Sequence, residues 1–206
     1  MNAAHFPERS EAKHPFRSVL RRCFAWGMAR SKGHMDRVYG TRKRELLGSA
    51  HGTVVEIGAG AGSNLEYYPR GASVIAVEPN RYMHRYLMAE AQRADIPVEV
   101  CDAVGERIDL DDACADVVVS TLVLCSVENP LKVVSEIRRI LKPGGRFLFL
   151  EHVAAPAGTG LRRAQVCVKP IWQRRLRDAG LRTLSGNHPI HADRCAAHRG
   201  SSGQVE

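Results

Sequence analysis

The sequence predicts one α/β domain built on a doubly wound, mostly parallel sheet. Between about residues 53 and 152, short apolar runs rich in β-branched residues alternate with segments of helical spacing. Runs such as TVVEI and DVVVSTLVL are apolar nearly throughout, which is typical of strands that are covered on both faces. Strands that alternate with helices favour a parallel sheet wrapped by helices. The length of 206 residues agrees with one domain.

The chain before the first strand is predicted to be helical and basic. Residues 1–15 are predicted to be a polar leader, and residues 16–50 an N-terminal helical lid or cap. From Phe16 to Met28, apolar residues recur at helical spacing with arginines between them, and a second short helix is predicted over Arg42–Leu47. Packing against the following domain is the ordinary interpretation of this amphipathic pattern, and peripheral contact with a membrane surface is the alternative.

The core of the domain is predicted over residues 51–155. Its second helix has clear boundary signals, because Pro130 suits a first helical turn and the KPGG segment at 142–145 suits a stop. The predicted strands are Thr53–Ile57, Ser73–Val77, Pro97–Cys101, Asp116–Leu124 and Arg146–His152, and the predicted helices are Arg81–Arg93 and Pro130–Leu141.

The C-terminal part is predicted to be less regular. Residues 156–184 are predicted to be a helical segment on the substrate side, and residues 185–206 a disordered tail. No pair of alternating strands follows Leu184, so the C-terminal strands of the sheet are expected to be incomplete. The tail carries a spacing that zinc could use, but it lacks hydrophobic support, and no metal site is predicted. The residues with that spacing are His188, His191, Cys195 and His198.

The charge is unevenly distributed along the chain. The net charge of +8 divides into +7 for residues 1–50, −4 for residues 51–150 and +5 for residues 151–206. A nucleic-acid groove in the core would make the core basic, so no nucleic-acid partner is expected. The six cysteines are scattered, the first residues lack the apolar region of a secretory signal, and no stretch is long and apolar enough to span a bilayer. Cysteine usage of this kind favours a cytoplasmic location.

The strongest chemical signal is a glycine loop directly after the first predicted strand. The segment VEIGAGAGSN at residues 55–64 has the spacing G-x-G-x-G. Glycines at this point allow a tight turn and let a ligand approach bare backbone. The dinucleotide fingerprint G-x-G-x-x-G would place glycine at position 63, where Ser63 stands, which disfavours a nicotinamide cofactor.

An acidic residue accompanies this loop at the distance that a ribose requires. Glu78 ends the second predicted strand, 20 residues after Gly58. A carboxylate at the tip of that strand can accept hydrogen bonds from both hydroxyls of a ribose. The loop and Glu78 together predict an adenosine-type ligand.

Four segments in order resemble the class I S-adenosylmethionine-dependent methyltransferases. VVEIGAGAGSN resembles the family's first motif, and VIAVEPN resembles the second, which ends in the ribose-binding acid. The segment from CDAVGERIDL to LVLCSV resembles the third strand, its acidic loop and the fourth strand, and ILKPGGRFLFLEHV resembles the fifth strand with the turn before it. The resemblance covers about residues 53–153. Within that family, the segment TLVLCSVENPLKVVSEIRRILKPGGRFLFLEHV closely resembles the methyltransferase type 11 domain and its thiol-methyltransferase-like branch.

The resemblance implies a cofactor site for S-adenosylmethionine, with a role for each matched position. The glycine loop would line the methionine and ribose, Glu78 would hold the ribose hydroxyls, and Asp102 would reach the adenine amino group. The fourth strand would end beside the sulfonium methyl. The implied cofactor-binding residues are Glu56, Gly58, Ala59, Gly60, Glu78, Pro79, Asn80, Asp102, Ala103, Thr121 and Leu122.

The chemistry implied is methyl transfer to a small molecule, such as a thiol or an amphipathic lipid-like compound. The sulfonium methyl is already electrophilic, so the protein needs to hold the acceptor in line and exclude water. His152, at the end of the fifth predicted strand, is the candidate base for a protonated acceptor. Two alternatives stay open: a cofactor-binding protein without turnover because its substrate side is incomplete, and an NAD(P)-dependent oxidoreductase.

Overall fold

A computed structural model describes residues 15–151 together with positions 155, 158–160, 163 and 167, and it contains a five-stranded parallel sheet. The strand order is β3-β2-β1-β4-β5, and every neighbouring pair runs parallel. The predicted fold class is therefore confirmed. The strands are β1 (Thr53–Ile57), β2 (Ser73–Val77), β3 (Val98–Cys101), β4 (Ala115–Thr121) and β5 (Leu141–Leu150).

The helices lie on both faces of this sheet. They are α1 (Pro15–Leu47), α2 (Arg81–Ala94) and α3 (Pro130–Ile140), with a 3₁₀ turn over Leu65–Tyr67 between β1 and β2. One apolar cluster lies on the face that α1 and α2 cover, and a second lies on the face that α3 covers. Adjacent residues of β1 divide between the two, since Val54 belongs to the first cluster and Val55 to the second, and both are fully buried. Strands covered on both faces explain the continuous apolar runs.

The N-terminal segment differs from the prediction of two helices, because α1 is one helix of 33 residues. Tertiary contacts hold its middle, where the sequence pattern is weakest. Lys32 pairs with Asp36 one turn later, and Asp36 accepts a hydrogen bond of 3.0 Å from the Tyr67 hydroxyl of the 3₁₀ turn. A helix that is anchored at its centre does not need a strongly amphipathic pattern to continue.

Two strand boundaries also differ from the prediction. β4 ends at Thr121 rather than Leu124, because Leu122 has a φ of +58° and turns the chain out of the sheet. The KPGG segment at 142–145 does end α3, but it belongs to the start of β5. The pairing is irregular there, since Ala115 pairs with Leu141 and the next pair is Val117 with Arg146.

Several predicted features fall outside the described residues. They include residues 1–14 of the leader predicted over 1–15, His152, nearly all of the segment predicted over 156–184, and the tail with its four candidate zinc ligands. Within the part of the chain that is described, no group of three or more metal-ligating side chains converges, and no helix has the length and hydropathy that crossing a bilayer requires.

Candidate functional site

The candidate site lies at the carboxyl edge of the sheet, where β1, β2 and β4 end side by side. The chain passes from β1 to β2 on one side, and β4 is the other neighbour of β1. This reversal of direction opens a crevice above the strand ends, and ligands of open α/β sheets bind there. The structure brings the tips of β1, β2 and β4 together at this crevice, with the tip of β3 next to β2.

The glycine loop after β1 turns back over the end of β2. The backbone N–H groups of Gly58 and Ala59 donate to the carbonyl of Val77, at N···O distances of 2.8 and 3.3 Å. Gly58 has a φ of +66°, and a Cβ added there would lie 2.6 Å from a methyl carbon of Val123. The position requires glycine on both grounds, conformation and space. The loop is therefore pressed against the turn that follows β4.

Glu78 is fixed beside this loop by two backbone N–H groups. Its Oε2 accepts from Gly60 at 2.9 Å and its Oε1 accepts from Asn80 at 2.7 Å, while the side chain is 7% exposed. Burial raises the pKa of Glu78 above its usual value, and the two N–H donors work against that rise. Each carboxylate oxygen keeps a second lone pair, so the group can still accept from a diol.

Glu56 lies beneath the loop, with both oxygens bonded to side chains. Oε1 accepts from the Asn64 amide at 2.8 Å, and Oε2 accepts from the Tyr68 hydroxyl at 2.8 Å. Burial raises the pKa of Glu56 to about 7, although the two hydrogen bonds oppose the change. The predicted contact between Glu56 and the cofactor stays a prediction. Its contacts in the structure support the loop from below.

Asn64 is a site residue that sequence reasoning missed as an individual position. Its Nδ2 donates both to Glu56 and, at 3.0 Å, to the Thr121 hydroxyl, so it joins the ends of β1 and β4. The side chain is 2% exposed, and its Oδ1 has no hydrogen-bond partner among the described residues. An unpaired buried oxygen is costly. The sequence signal was its place at the end of the loop motif, since short polar residues favour such turns.

Helix α1 contacts the site at two separate points. Lys43 is 1% exposed and directs its ammonium to the Ser63 hydroxyl at 3.3 Å, with Asp36 at 3.9 Å, and burial lowers the pKa of Lys43. Nearer the N-terminus of α1, Arg21 donates to the Pro79 carbonyl at 3.4 Å, and its own carbonyl accepts from the Asn80 side-chain amide at 3.4 Å. The helix thus touches the end of the glycine loop and the segment after Glu78.

The tip of β3 carries the predicted adenine-binding residues. Asp102 is partly exposed and pairs with Arg81 at 2.6 Å, while Ala103 donates its N–H to the Cys101 carbonyl. Asn80, next to the predicted ribose site, caps α2 by accepting from the Tyr82 N–H at 3.2 Å. The structure therefore places Asp102 one strand away from Glu78, at the same edge of the sheet.

The turn after β4 is held by Glu151, which sequence reasoning noted only as the neighbour of His152. Glu151 Oε1 accepts from the Ser120 hydroxyl at 2.8 Å and from the N–H groups of Val123 and Leu124 at 3.0 and 3.1 Å. Its Oε2 is buried and has no hydrogen-bond partner among the described residues. No pattern in the sequence links residues about 30 positions apart, so this contact could not be predicted.

A surface concavity among the described residues does not coincide with the crevice. It has a volume of about 620 Å³ and lies between α1 and the 3₁₀ turn. Its acids are already paired, since Lys32 and Arg93 both bind Glu66. The strand-end crevice combines bare loop backbone with the fixed carboxylate of Glu78, so it is the better candidate despite the volume of the concavity.

Comparison with known proteins agrees with the geometry. Residues 55–149 match the family of methyltransferase domains. The human thiol S-methyltransferase TMT1B is 36% identical over 161 residues, which cover 73% of this chain and 66% of that protein. Human TMT1A, also a thiol S-methyltransferase, is 33% identical over 75% of this chain and 68% of its own length. The chain belongs to the S-adenosylmethionine-dependent methyltransferase family.

A solved structure from Methanococcus maripaludis, assigned as an S-adenosyl-L-methionine-dependent methyltransferase, superposes with a TM-score of 0.57. It is 21% identical and covers 75% of each chain, so it supports the fold alone. The resemblance to the methyltransferase type 11 domain and to its thiol-methyltransferase-like branch is confirmed. Membership of this family disfavours the NAD(P) oxidoreductase alternative. The chain spans 66% of human TMT1B and 59% of the rat thiol S-methyltransferase TMT1B.

Proposed function

We propose that this methyltransferase transfers the methyl group of S-adenosylmethionine to the sulfur of a small-molecule thiol. The observation that carries the proposal is the placement of Glu78, whose two oxygens are fixed by Gly60 and Asn80 beside bare loop backbone. That arrangement suits the ribose of an adenosyl cofactor. The thiol acceptor is supported by relatives named thiol S-methyltransferases at 33–39% identity.

The residues of the crevice fit the chemical groups of S-adenosylmethionine. Glu78 offers acceptors for the ribose hydroxyls, and Asp102 would accept from the adenine amino group after leaving Arg81. The unpaired Oδ1 of Asn64, at the junction of β1 and β4, suits the cationic methionine end. The remaining members of the proposed cofactor site are Glu56, Gly58, Ala59, Gly60, Pro79, Asn80, Ala103, Thr121 and Leu122.

When bound, the cofactor supplies an electrophilic methyl group, so the chain needs to provide no nucleophile of its own. Its contribution is alignment of the acceptor and exclusion of water. The turn after β4 would position the acceptor. Leu122 in this turn has a left-handed backbone, and Thr121 before it accepts a hydrogen bond from Asn64. His152, the predicted base, lies outside the described residues and stays a prediction.

The proposal is tested by cofactor titration and a transfer screen. We expect S-adenosylhomocysteine to bind in the micromolar range by isothermal titration calorimetry, and labelled methyl to appear on at least one thiol of a panel that also holds amines, phenols and lipid-like amphiphiles. Binding without transfer to any acceptor would favour the alternative of a cofactor-binding protein without turnover. Absence of binding would contradict the proposed function entirely.

Peripheral membrane contact through α1 is a second proposal, favoured by one observation. Val19 and Trp26 are each 53% exposed, and the Arg30 guanidinium lies 4.7 Å from the centre of the Trp26 ring. Exposed apolar groups beside arginines suit the interface of an anionic bilayer. Sedimentation with phosphatidylserine vesicles tests it, and Trp26→Ser should weaken the association while phosphatidylcholine vesicles serve as the control. The cytoplasmic location stays a prediction.

A further inference from the structure

The carboxylate of Glu151 is asymmetric in its contacts, and this asymmetry carries the inference. Oε1 accepts three hydrogen bonds, from the Ser120 hydroxyl and from the N–H groups of Val123 and Leu124. Oε2 is shielded from solvent and has no partner among the described residues. A buried carboxylate oxygen without a donor is destabilising, because it has lost the hydrogen bonds that water would supply. One oxygen is thus committed to the protein, and the other is available to a ligand.

The position of Glu151 in the sheet sets it on the acceptor side of the proposed cofactor site. Along the strand order, Asp102 follows β3, Glu78 follows β2, the glycine loop follows β1, and the Thr121–Leu124 turn follows β4. Glu151 follows β5, one strand beyond that turn. The adenosyl group would occupy the β3–β1 side and the transferable methyl group would lie near β4. The next strand end is therefore the place for the acceptor.

Glu151 also determines the shape of the wall between the two ligands. By holding the N–H groups of Val123 and Leu124, it fixes the turn whose Val123 side chain presses on Gly58. Because Oε1 of Glu151 is bonded to the turn after β4, its Oε2 is also held at a fixed distance from that turn.

We infer that Glu151 is the acceptor-side carboxylate of this methyltransferase, with Oε2 accepting a hydrogen bond from the S–H of the incoming thiol. In the transfer step the thiol sulfur forms a bond to the methyl carbon, and the bond between that carbon and the sulfonium sulfur breaks with its electron pair left on the cofactor sulfur. The thiol proton passes to Oε2. The products are a methyl thioether, neutral S-adenosylhomocysteine and a protonated Glu151. This inference rests on the proposed function.

The decisive variant is Glu151→Gln, because it separates the two oxygens. Its amide oxygen can still accept from Ser120, Val123 and Leu124, whereas its NH₂ group replaces Oε2 with a donor that takes no proton. Glu151→Ala removes both roles. Glu106→Gln is the matched control, because Glu106 Oε1 also accepts from two backbone N–H groups, those of Glu128 and Asn129, and Glu106 takes no part in the proposed transfer step.

The assay compares an aliphatic thiol with an acidic aromatic thiol that is already ionised at pH 7.5. For Glu151→Gln we expect kcat/KM with the aliphatic thiol to fall about 100-fold, the scale of general-base catalysis, and to fall at most about threefold with the aromatic thiol. Affinity for S-adenosylhomocysteine and the thermal unfolding midpoint should match those of Glu106→Gln. Glu151→Ala should lower turnover of both thiols, because the turn after β4 loses its acceptor.

Each outcome decides something. Equal loss on both thiols, or equal loss of cofactor affinity in Glu151→Gln and Glu151→Ala, would make Glu151 a structural residue and overturn the inference. If Glu151→Gln turns over both thiols as fast as the wild type, the inference is overturned and the proposed function stands. Absence of transfer by the wild-type chain would instead remove the proposed function, and this inference with it.

Discussion

The two halves of the sheet differ in how their strand-end acids are satisfied. On the β1–β3 side, both oxygens of Glu78 and both oxygens of Glu56 have donors within the protein. On the β4–β5 side, Glu151 has three donors on one oxygen and none on the other among the described residues. The acids of the β1–β3 side, which is the proposed cofactor half, are fully paired because their donors come from loops at most 18 positions away. The buried oxygen without a partner in that half, among the described residues, is the amide Oδ1 of Asn64. On the β4–β5 side, which is the proposed acceptor half, the second oxygen of Glu151 can accept a hydrogen bond from a ligand.

Of the substitutions that test this difference, removal of the Glu78 carboxylate should have the largest effect, on cofactor affinity. Glu78→Ala is expected to weaken S-adenosylhomocysteine binding about 100-fold or more, since two hydrogen bonds to a charged group are worth about 1.5–3 kcal/mol each. The N–H groups of Gly60 and Asn80 would also lose their acceptor. Calorimetric titration measures the change, and Glu99→Ala, an exposed acid on β3, is the control. An affinity that Glu78→Ala leaves within threefold of the control would show that the cofactor half is not built around this acid.

Glu56 should make the stability of the cofactor half depend on pH. Its pKa of about 7 in the folded chain exceeds the usual value near 4.5, so the folded state holds a proton that the unfolded state has lost. The free energy of unfolding should therefore decrease as pH rises from about 4.5 to 7, by about 3 kcal/mol from this group. The pKa of Glu78, which is also raised, acts in the same direction.

Urea unfolding at half-unit pH steps measures this dependence. Glu56→Gln should flatten the profile between pH 4.5 and 7, because an amide does not titrate and can still pair with Asn64 and Tyr68. Asp36 and Asp116 are among the acids whose pKa values are lowered in the folded chain. Their contribution to the free energy of unfolding is lost only below about pH 4, outside the range of pH 4.5 to 7. An unchanged slope in Glu56→Gln would assign the dependence to other groups.

The contact between the two halves can be tested at Gly58, with Gly71 as its matched position. Both have positive φ, +66° and +88°, but a Cβ meets Val123 at Gly58 and nothing within 4 Å at Gly71. Gly71→Ala should cost about 1–2 kcal/mol of unfolding free energy for the left-handed backbone alone. Gly58→Ala should cost about 1–3 kcal/mol more from the forced shift of Val123, and it should weaken cofactor binding. Equal losses in the two variants would mean that the halves are not tightly packed there.

The smallest effect is expected at the tip of β3. Arg81 and Asp102 form an ion pair at 2.6 Å with side chains 63% and 39% exposed, so Arg81→Ala should change the unfolding free energy by less than about 0.5 kcal/mol. If Asp102 must leave Arg81 to bind adenine, S-adenosylhomocysteine should bind Arg81→Ala as tightly as the wild type or up to about threefold more tightly. A tenfold weakening would show that Arg81 itself contacts the ligand.

The predictable part of the molecule is the part that local sequence determines. The apolar runs at Thr53–Ile57 and Ser73–Val77 became β1 and β2 with the predicted bounds, because strands buried on both faces leave a continuous apolar signal. The glycine loop and Glu78 meet as expected, since parallel strand ends share one edge. The continuity of α1 could not be predicted, because Asp36 and Tyr67 are joined only by the fold.

The acceptor side illustrates the same limit. β4 was predicted to reach Leu124, but the N–H groups of Val123 and Leu124 turn away from the sheet to Glu151. An apolar run cannot reveal that a distant carboxylate competes with the strand ladder for its donors. Asn64 and Glu151 have partners up to 57 and 31 positions away, and pairings of that separation leave no periodic signal in one sequence.

The unbroken helix α1 has a mechanical consequence. Arg21 and Lys43 contact the segments that follow Glu78 and the glycine loop, and at 1.5 Å per residue they stand about 33 Å apart on one rod. Such a strut cannot tilt at one end without displacing the other. A displacement of the first or last turn of α1 would therefore move both edges of the crevice together.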